Sequence, residues 1–133
     1  MLISTLGRKA LQLAGQISDG ALSCVCPVPY LLRTGIPALC TSAAAVGRSA
    51  PPLVAYVSVA LNEDRYSVLV AGHLLLDLYA KVPFYANIFS EAGFPLASNQ
   101  TVPDALVDSL VISGNEATVA ARFTELLGQV WAN

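Results

Sequence analysis

The residues whose types and spacing are best suited to binding or chemistry lie in the first turn of the chain. This turn consists of Ser4, Thr5, Leu6 and Gly7, with Arg8 next in the chain, and it separates a short apolar stretch from a helical pattern. The first N–H groups of a helix have no partner within the helix, and its dipole is positive there, so such a turn suits a phosphate. Many turns between a strand and a helix bind nothing, and the spacing alone leaves both interpretations open.

Other residues that could do chemistry are few. The chain has one histidine, His73, and three cysteines, Cys24, Cys26 and Cys40. A zinc site needs about four ligands at suitable spacing, and we predict no metal site because no such group is evident. Cys24 and Cys26 lie within a strand pattern, and we expect all three thiols to be reduced and buried. His73 lies beside an apolar helical face, as is typical of a packing or surface histidine.

The composition predicts one folded domain over residues 1–133. The chain is 55% hydrophobic and 12% charged, which excludes a disordered protein. Its net charge is −2 without a basic cluster, so we predict no nucleic-acid partner. The longest uncharged runs, 34–47 and 49–62, are shorter than the about 18 residues that a membrane span needs. Arg8 and Lys9 follow the first apolar residues, the wrong order for a secretory signal, and the protein is predicted to be cytoplasmic.

The first turn must be positioned by the strand before it and the helix after it. The predicted apolar face of that helix consists of Leu6, Ala10, Leu13, Ala14 and Ile17, and Gly20 ends the segment. A strand over 21–26 follows, which completes a βαβ unit. A helix over 30–46, with a kink or a fresh start at Pro37, leads to a strand over 53–61 that is apolar enough to be buried on both faces.

The second half of the chain is predicted to be mostly helical. Asn62, Glu63 and Asp64 start a helix that runs to about residue 80, and Pro83 starts another over 84–92. A helix opens within 101–108, a short extended piece covers 110–112, and a last helix covers 116–127. The buried face of the last helix is predicted to comprise Val119, Ala120, Phe123, Leu126 and Leu127. The order β-α-β-α-β-α-α-α predicts an α/β fold with a parallel sheet.

A set of short motifs resembles a known family in order and spacing. They are Thr5-Leu6-Gly7-Arg8, Leu13-Ala14-Gly15, Ser18-Asp19-Gly20, Gly47-Arg48, Tyr79-Ala80-Lys81-Val82-Pro83-Phe84-Tyr85 and Val111-Ile112-Ser113-Gly114-Asn115-Glu116. Together they resemble the bacterial-luciferase-like oxidoreductases, the luciferase-like monooxygenase class. The likeness is strongest to the branch that depends on the deazaflavin coenzyme F-420. Ser18 stands where that family usually has alanine.

The resemblance implies a fold, a cofactor and a reaction. The fold is the (β/α)8 TIM barrel, and the reaction is hydride transfer between coenzyme F-420 or FMN and a small organic substrate. The resemblance places the cofactor phosphate at the first turn, where Ser4, Thr5, Leu6 and Gly7 supply backbone or hydroxyl donors. Arg8 lies nearby as an ion-pair partner.

The chain is short for such a barrel, which needs on the order of 250 residues. We therefore expect a truncated C-terminal part of the barrel, with residues 128–133 in place of its last strand and no closure within one chain. We assign no catalytic role to His73, Asp77, Tyr79 or Tyr85, so the catalytic residues stay unknown. Two hypotheses follow: an oxidoreductase fragment that is inactive or incomplete alone, or a non-catalytic module that self-associates through strand edges as a homo-oligomer.

Overall fold

The computed structural model describes residues 1–131 and divides the chain into two compact units. One unit comprises Met1–Tyr56, and the other begins at Val57. The single domain over 1–133 stays a prediction, and the part of the predicted C-terminal segment at 132–133 lies outside the described residues.

The first unit is a parallel sheet covered by helices. Its elements are β1 (Leu2–Thr5), α1 (Arg8–Ile17), β2 (Gly20–Ser23), α2 (Val28–Tyr30), a π-helical turn (Leu31–Gly35), α3 (Ile36–Ala45) and β3 (Leu53–Ala55). The strands lie in the order β1-β2-β3, and all are parallel. The predicted parallel strands with covering helices are therefore confirmed.

The helical segment between β2 and β3 breaks before Pro37 and not at it. The π-helical turn ends at Gly35, and Pro37 then occupies the first turn of α3. Proline costs little there because the first N–H groups of a helix have no partner within the helix. Of the two predicted alternatives at Pro37, the structure shows the fresh helix start, and it follows a π-helical turn.

The core of the first unit lies between α1, α3 and the sheet. Leu11, Ala14, Ala21 and Leu39 form its buried cluster. The predicted face of α1 is wrong in part, because Leu13 and Ile17 are exposed while Leu11 and Gly15 are buried. The helix is rotated so that Gly15 lies against α3, where its missing side chain allows a close approach.

The predicted single strand over 53–61 is wrong. It divides into β3 and β4 (Ser58–Ala60), which belong to different sheets. Tyr56 extends the pairing of β2 with β3 by one hydrogen bond, because its N–H donates to the carbonyl of Ser23 at 2.8 Å. The pairing then stops. Val54 and Val59 are exposed, so the segment is not buried on both faces in this chain.

The second unit joins four helices to a small parallel sheet. Besides β4, its elements are α4 (Arg65–Ala80), α5 (Pro83–Glu91), α6 (Asp104–Leu110), β5 (Val111–Ser113) and α7 (Glu116–Trp131). Strands β4 and β5 are parallel, and Val59 lies opposite Ile112. Asp64 caps α4 by accepting the N–H of Ser67 at 3.3 Å. The predicted starts of α4 and α5 are confirmed.

The core of this unit is built from α4, α5 and α6. Phe89, Leu76, Leu106 and Val107 are its largest fully buried side chains. The predicted face of α7 is largely wrong, because Val119 is buried whereas Phe123 and Leu127 are exposed. Helix α7 also continues past residue 127 to Trp131.

Within residues 1–131, no single helix is both long and apolar enough to cross a bilayer. The pair α4 and α5 reaches the required length and composition together, but it is bent by 114°.

We predict that Gly15→Ala destabilises the first unit. A Cβ at Gly15 would overlap Ser42 Oγ and the carbonyl oxygen of Leu39, and it would lie 3.1 Å from the backbone nitrogen of Ala43. Because backbone cannot move aside cheaply, we expect a loss of about 1–3 kcal/mol in the free energy of unfolding, measured by urea denaturation.

Gly128→Ala is the matched control for this prediction. Gly128 also lies within a helix, but a Cβ added there would meet no atom within 4 Å, so we expect a gain of about 0.5–1 kcal/mol. Equal stability of Gly15→Ala and the unchanged protein would contradict the close contact between α1 and α3.

Candidate functional site

Gly7 has the most distinctive backbone conformation in the first turn. It is buried and has φ 83° and ψ 170°, a backbone conformation that residues other than glycine rarely adopt. Helix α1 begins at the next residue, Arg8, and the Leu11 N–H donates to the carbonyl of Gly7 at 3.2 Å. The turn therefore depends on glycine, and a side chain at this position would be strained.

The start of α1 carries an unusual excess of positive charge. Gly7 offers no side-chain cap, and the first turn contains no acidic residue. It contains two cations instead, Arg8 and Lys9, and both are exposed. Cations at the positive end of a helix dipole are destabilising by about 0.3–1 kcal/mol each, and an anion placed there would offset that cost. Lys9 was missed as a site residue, although its position beside Arg8 in the sequence was the available signal.

The other end of α1 is capped by the side chains of Ser18 and Arg48. The Ser18 hydroxyl donates to the carbonyls of Ala14 at 2.7 Å and Gly20 at 3.1 Å. The Arg48 guanidinium donates to the carbonyls of Gln16 at 2.7 Å and Ser18 at 2.8 Å. A cation at the negative end of the dipole is favourable. The open, positive start of α1 therefore contrasts with its capped end.

The remaining predicted donors differ in their exposure and in whether they already form a hydrogen bond. Thr5 is only 1% exposed, and its hydroxyl donates to the carbonyl of Leu22 at 3.1 Å. Its proton is engaged in holding β1 against β2, so a ligand would have to use its backbone or replace that bond. Ser4 is exposed and Leu6 is half-buried. The predicted turn is shorter in the structure, because Ser4 and Thr5 are the last residues of β1 and Arg8 is the first residue of α1, which leaves Leu6 and Gly7 between the two elements.

The loop after β2 shares this edge of the sheet. Thr5 lies opposite Ser23 in the parallel register, so the residues that follow the two strands are neighbours. Val25 has φ 48°, which is a strained conformation for a β-branched side chain and costs about 1–3 kcal/mol. Sequence patterns gave no signal of this strain, because valine is typical of strands and not of left-handed turns.

Cys26 provides no reactive thiolate at this edge. Burial raises the pKa of Cys26 to about 11, against the opposing effect of a hydrogen bond with Ser23. The thiol is therefore protonated at neutral pH. All three cysteines are free; Cys24 and Cys26 are half-buried, whereas the expected burial of Cys40 is wrong because that residue is exposed.

A groove of about 460 Å³ runs between α1 and α3. Its lining includes Arg8, Gln12 and Gln16 from α1, with Arg33 and Thr34 from the π-helical turn. Because α1 runs back from the carboxyl ends of the strands, the groove leads away from that edge. Only Arg8 belongs both to the groove and to the first turn, so we treat the turn as the candidate site.

His73 has partners that the sequence did not reveal. Its Nε2 lies 2.7 Å from Asp104 Oδ1, and its Nδ1 lies 3.7 Å from Asp77 Oδ2. Asp77 also accepts the N–H of Val102 at 2.9 Å. The hydrogen bond with Asp104, together with the charges of Asp77 and Asp104, raises the pKa of His73 above 6.5 despite partial burial. This cluster links α4 to the start of α6.

We predict that the second unit loses stability as the pH rises from about 6 to 8. The pKa of His73 is higher in the folded state than in the unfolded state, so its contribution is complete below about 6.5 and is lost as the pH rises through the folded value. His73→Gln should flatten this dependence in urea titrations at a series of pH values.

Asp108→Asn is the control for this pH dependence. It removes the bidentate pair of Asp108 with Arg65, at 2.9 and 3.1 Å, and leaves His73, Asp77 and Asp104 in place. It should therefore lower the free energy of unfolding without changing how that free energy depends on pH. His73 is the only histidine, so its NMR titration can be assigned directly. A measured pKa at or below 6.5 would refute the prediction.

Comparison with known proteins gives a fold and no family. No protein-family model matches the sequence, and no curated protein matches it. The chain is similar to the structure of coenzyme F-420-dependent tetrahydromethanopterin reductase from Methanopyrus kandleri, with a TM-score of 0.65 and 20% identity. It is also similar to an F-420-dependent secondary alcohol dehydrogenase in complex with an adduct of F-420 and acetone, with a TM-score of 0.69 and 14% identity.

These two similarities extend over nearly all of this chain and part of the solved enzymes. They cover 96% of this chain in both cases, but 42% of the reductase and 39% of the dehydrogenase. The chain thus spans about two fifths of the length of the enzymes that it matches. At this level of identity the likeness establishes a mixed α/β fold of parallel strands and covering helices.

Proposed function

We propose that this chain is the C-terminal part of a luciferase-like oxidoreductase, folded as part of a (β/α)8 barrel, and that its first turn holds the phosphate of a deazaflavin or flavin cofactor. The observation that carries the proposal is the uncapped start of α1, where Gly7 adopts a positive φ and Arg8 and Lys9 add positive charge. The likeness of the fold to two enzymes named for coenzyme F-420 favours that cofactor, and FMN is the second candidate.

The residues of the turn fit a phosphate group. Backbone N–H groups after Gly7 have no side-chain cap, so they are available as donors to phosphate oxygens. Arg8 and Lys9 offset the phosphate charge from the exposed side of the turn. A Cβ at position 7 would force the backbone out of the conformation that aims these donors. When bound, the cofactor would supply hydride transfer to or from a small organic substrate.

The proposal concerns cofactor binding by this chain and not turnover. The chain spans about two fifths of the solved enzymes, so groups from outside it would be needed to complete a substrate pocket of that type. We therefore propose that the chain is inactive alone or is completed by another chain, and we assign no catalytic residue.

The alternative function is a non-catalytic module that self-associates through strand edges. β3 lies at one edge of the first sheet, and its Val54 is exposed together with the adjacent Tyr56. An exposed apolar edge strand is a template for pairing with another chain. This alternative predicts oligomers that bind neither cofactor.

We predict that Gly7→Val weakens cofactor binding about tenfold or more, because a strained turn misdirects the N–H donors that hold the phosphate. The measurement is a titration of the purified chain with coenzyme F-420 and separately with FMN, followed by cofactor fluorescence. Saturable binding of either cofactor to the unchanged chain is the expected result.

Gly47→Val is the matched control for Gly7→Val. Gly47 also has a positive φ, 71°, and no atom lies within 4 Å of its Cβ position, so the substitution adds comparable strain away from the turn. It should leave the affinity unchanged. Failure of both cofactors to bind, or equal affinity in Gly7→Val and the unchanged chain, would reject the proposed site.

A further inference from the structure

The groove between α1 and α3 has two walls, and each wall is a row of residues that begins with an arginine. The wall on α1 consists of Arg8, Gln12 and Gln16, and the facing wall consists of Arg33, Pro37, Thr41 and Ala45. Neighbours within a row are four residues apart, so they follow one another at about 6 Å along the helix axis. The wall on α1 is therefore about 12 Å long.

The floor of the groove is made of small side chains. Ala38 and Ser42 line it and are each 7% exposed, and the Ser42 hydroxyl donates to the carbonyl of Leu39 at 3.0 Å. Among the described residues that line the groove, none is aromatic and none is a large aliphatic residue. The groove therefore suits a polar ligand better than an aromatic ring or a lipid chain.

The two arginines lie at the same end of the groove. A Cβ at Gly35 would lie 3.2 Å from Leu11 Cδ1, and a Cβ at Gly15 would overlap the carbonyl oxygen of Leu39. These two pairs ascend in the same order, so α1 and the segment 31–45 run in the same direction. Each arginine precedes the first of these levels by two or three residues, which places both at the end of the groove nearest the first turn.

Positive charge dominates this end of the first unit. Residues 1–56 include four basic residues and one acidic residue, Asp19. Asp19 follows the other end of α1, where it pairs with the N-terminal amino group and lies 3.9 Å from Arg48. The described lining of the groove contains no carboxylate. An anion at the arginine end would therefore be attracted without an opposing negative charge beside it.

We propose that this groove binds an extended acidic peptide segment of another protein, in which two adjacent acidic residues adjoin small polar ones. Side chains of an extended chain alternate between its two sides, so adjacent carboxylates reach one arginine on each wall. Residues on the same side repeat about every 6.7 Å, close to the spacing of about 6 Å along each wall. Beyond the arginines, Gln12, Gln16 and Thr41 offer hydrogen-bond donors and acceptors to polar side chains.

A peptide fits the groove better than a free phosphate does. A phosphate would occupy the arginine end alone, whereas the groove has a volume of about 460 Å³ and continues along both helices. Four residues of extended chain span about 13 Å, which matches the wall on α1. The peptide site goes beyond the proposed cofactor site, with which it shares only Arg8.

The first experiment titrates the full chain with acetylated and amidated peptides by isothermal calorimetry. For the better of Asp-Asp-Ser-Ser and Ser-Ser-Asp-Asp we expect a Kd of about 10–300 μM, and about tenfold weaker binding when asparagine replaces both aspartates. Binding of the acidic peptide should weaken as salt is added, because the attraction between exposed charges is screened.

Arg33 is the arginine to change, because Arg8 also lies beside the first turn. Arg33→Gln should weaken binding of the acidic peptide about fivefold or more. The Arg33 Nε also donates to the carbonyl of Pro29 at 3.2 Å, a bond that Arg33→Gln and Arg33→Lys both lose. Arg33→Lys keeps the charge and should bind within about threefold of the unchanged chain. Arg122→Gln is the matched control, since it removes an exposed arginine from α7 and should leave the Kd unchanged.

A second pair of variants tests whether the peptide lies along the groove. Thr41→Trp places a large side chain on the wall opposite α1 and should weaken binding about fivefold or more. Ala44→Trp is its control, because Ala44 is also exposed on α3 but does not line the groove. It should bind the peptide normally.

Four results would overturn the proposal. They are no binding of either acidic peptide up to about 2 mM, equal binding of the asparagine peptide, normal binding by Arg33→Gln, and binding by Arg33→Lys as weak as that by Arg33→Gln. Normal binding by Thr41→Trp, or equal affinity for inorganic phosphate, would reduce the groove to a simple anion site and reject a peptide. Peptide binding by a chain that binds neither cofactor would reject the proposed function alone, and the converse would reject this site alone.

Discussion

The close approach of α1 to α3 at Gly15 is the constraint on which the first unit depends. Any side chain at this position would overlap Ser42 and the backbone of α3. The contact fixes which face of α1 is buried and therefore how the helix lies across β1 and β2. Because the sheet is parallel, this placement also brings the start of α1 to the carboxyl edge, where the turn at Gly7 lies.

The two ends of α1 differ in how their backbone groups are satisfied. Ser18 and Arg48 satisfy the carbonyls at its end, so the helix is anchored there. At its start, Arg8 and Lys9 add positive charge to an uncapped dipole, which lowers stability unless an anion is present. Natural proteins accept such a loss mainly where it creates a functional site. The asymmetry is the strongest physical argument for a ligand at this turn.

Local signals made part of the fold and part of the site predictable from the sequence. Asp64 and Pro83 mark helix starts by capping and by fixed φ, and the structure confirms both. The turn at Gly7 could also be found, because its donors are backbone groups of contiguous residues. The division of the segment 53–61 was not predictable, because continuous apolarity does not report a change of strand partner. The partners of His73 and the rotation of α1 were missed as well, since contacts between residues distant in sequence leave no periodic signature.

The chemistry available at the carboxyl edge also limits what this chain can contribute to a reaction. The Cys26 thiol is protonated at neutral pH, and the Thr5 hydroxyl proton is held by the carbonyl of Leu22. Neither group is poised as a nucleophile or as a general base. What the edge offers is positive potential and uncapped N–H donors, a combination that suits an anion and does not react with it. That is the contribution expected of a protein when a cofactor carries the redox step.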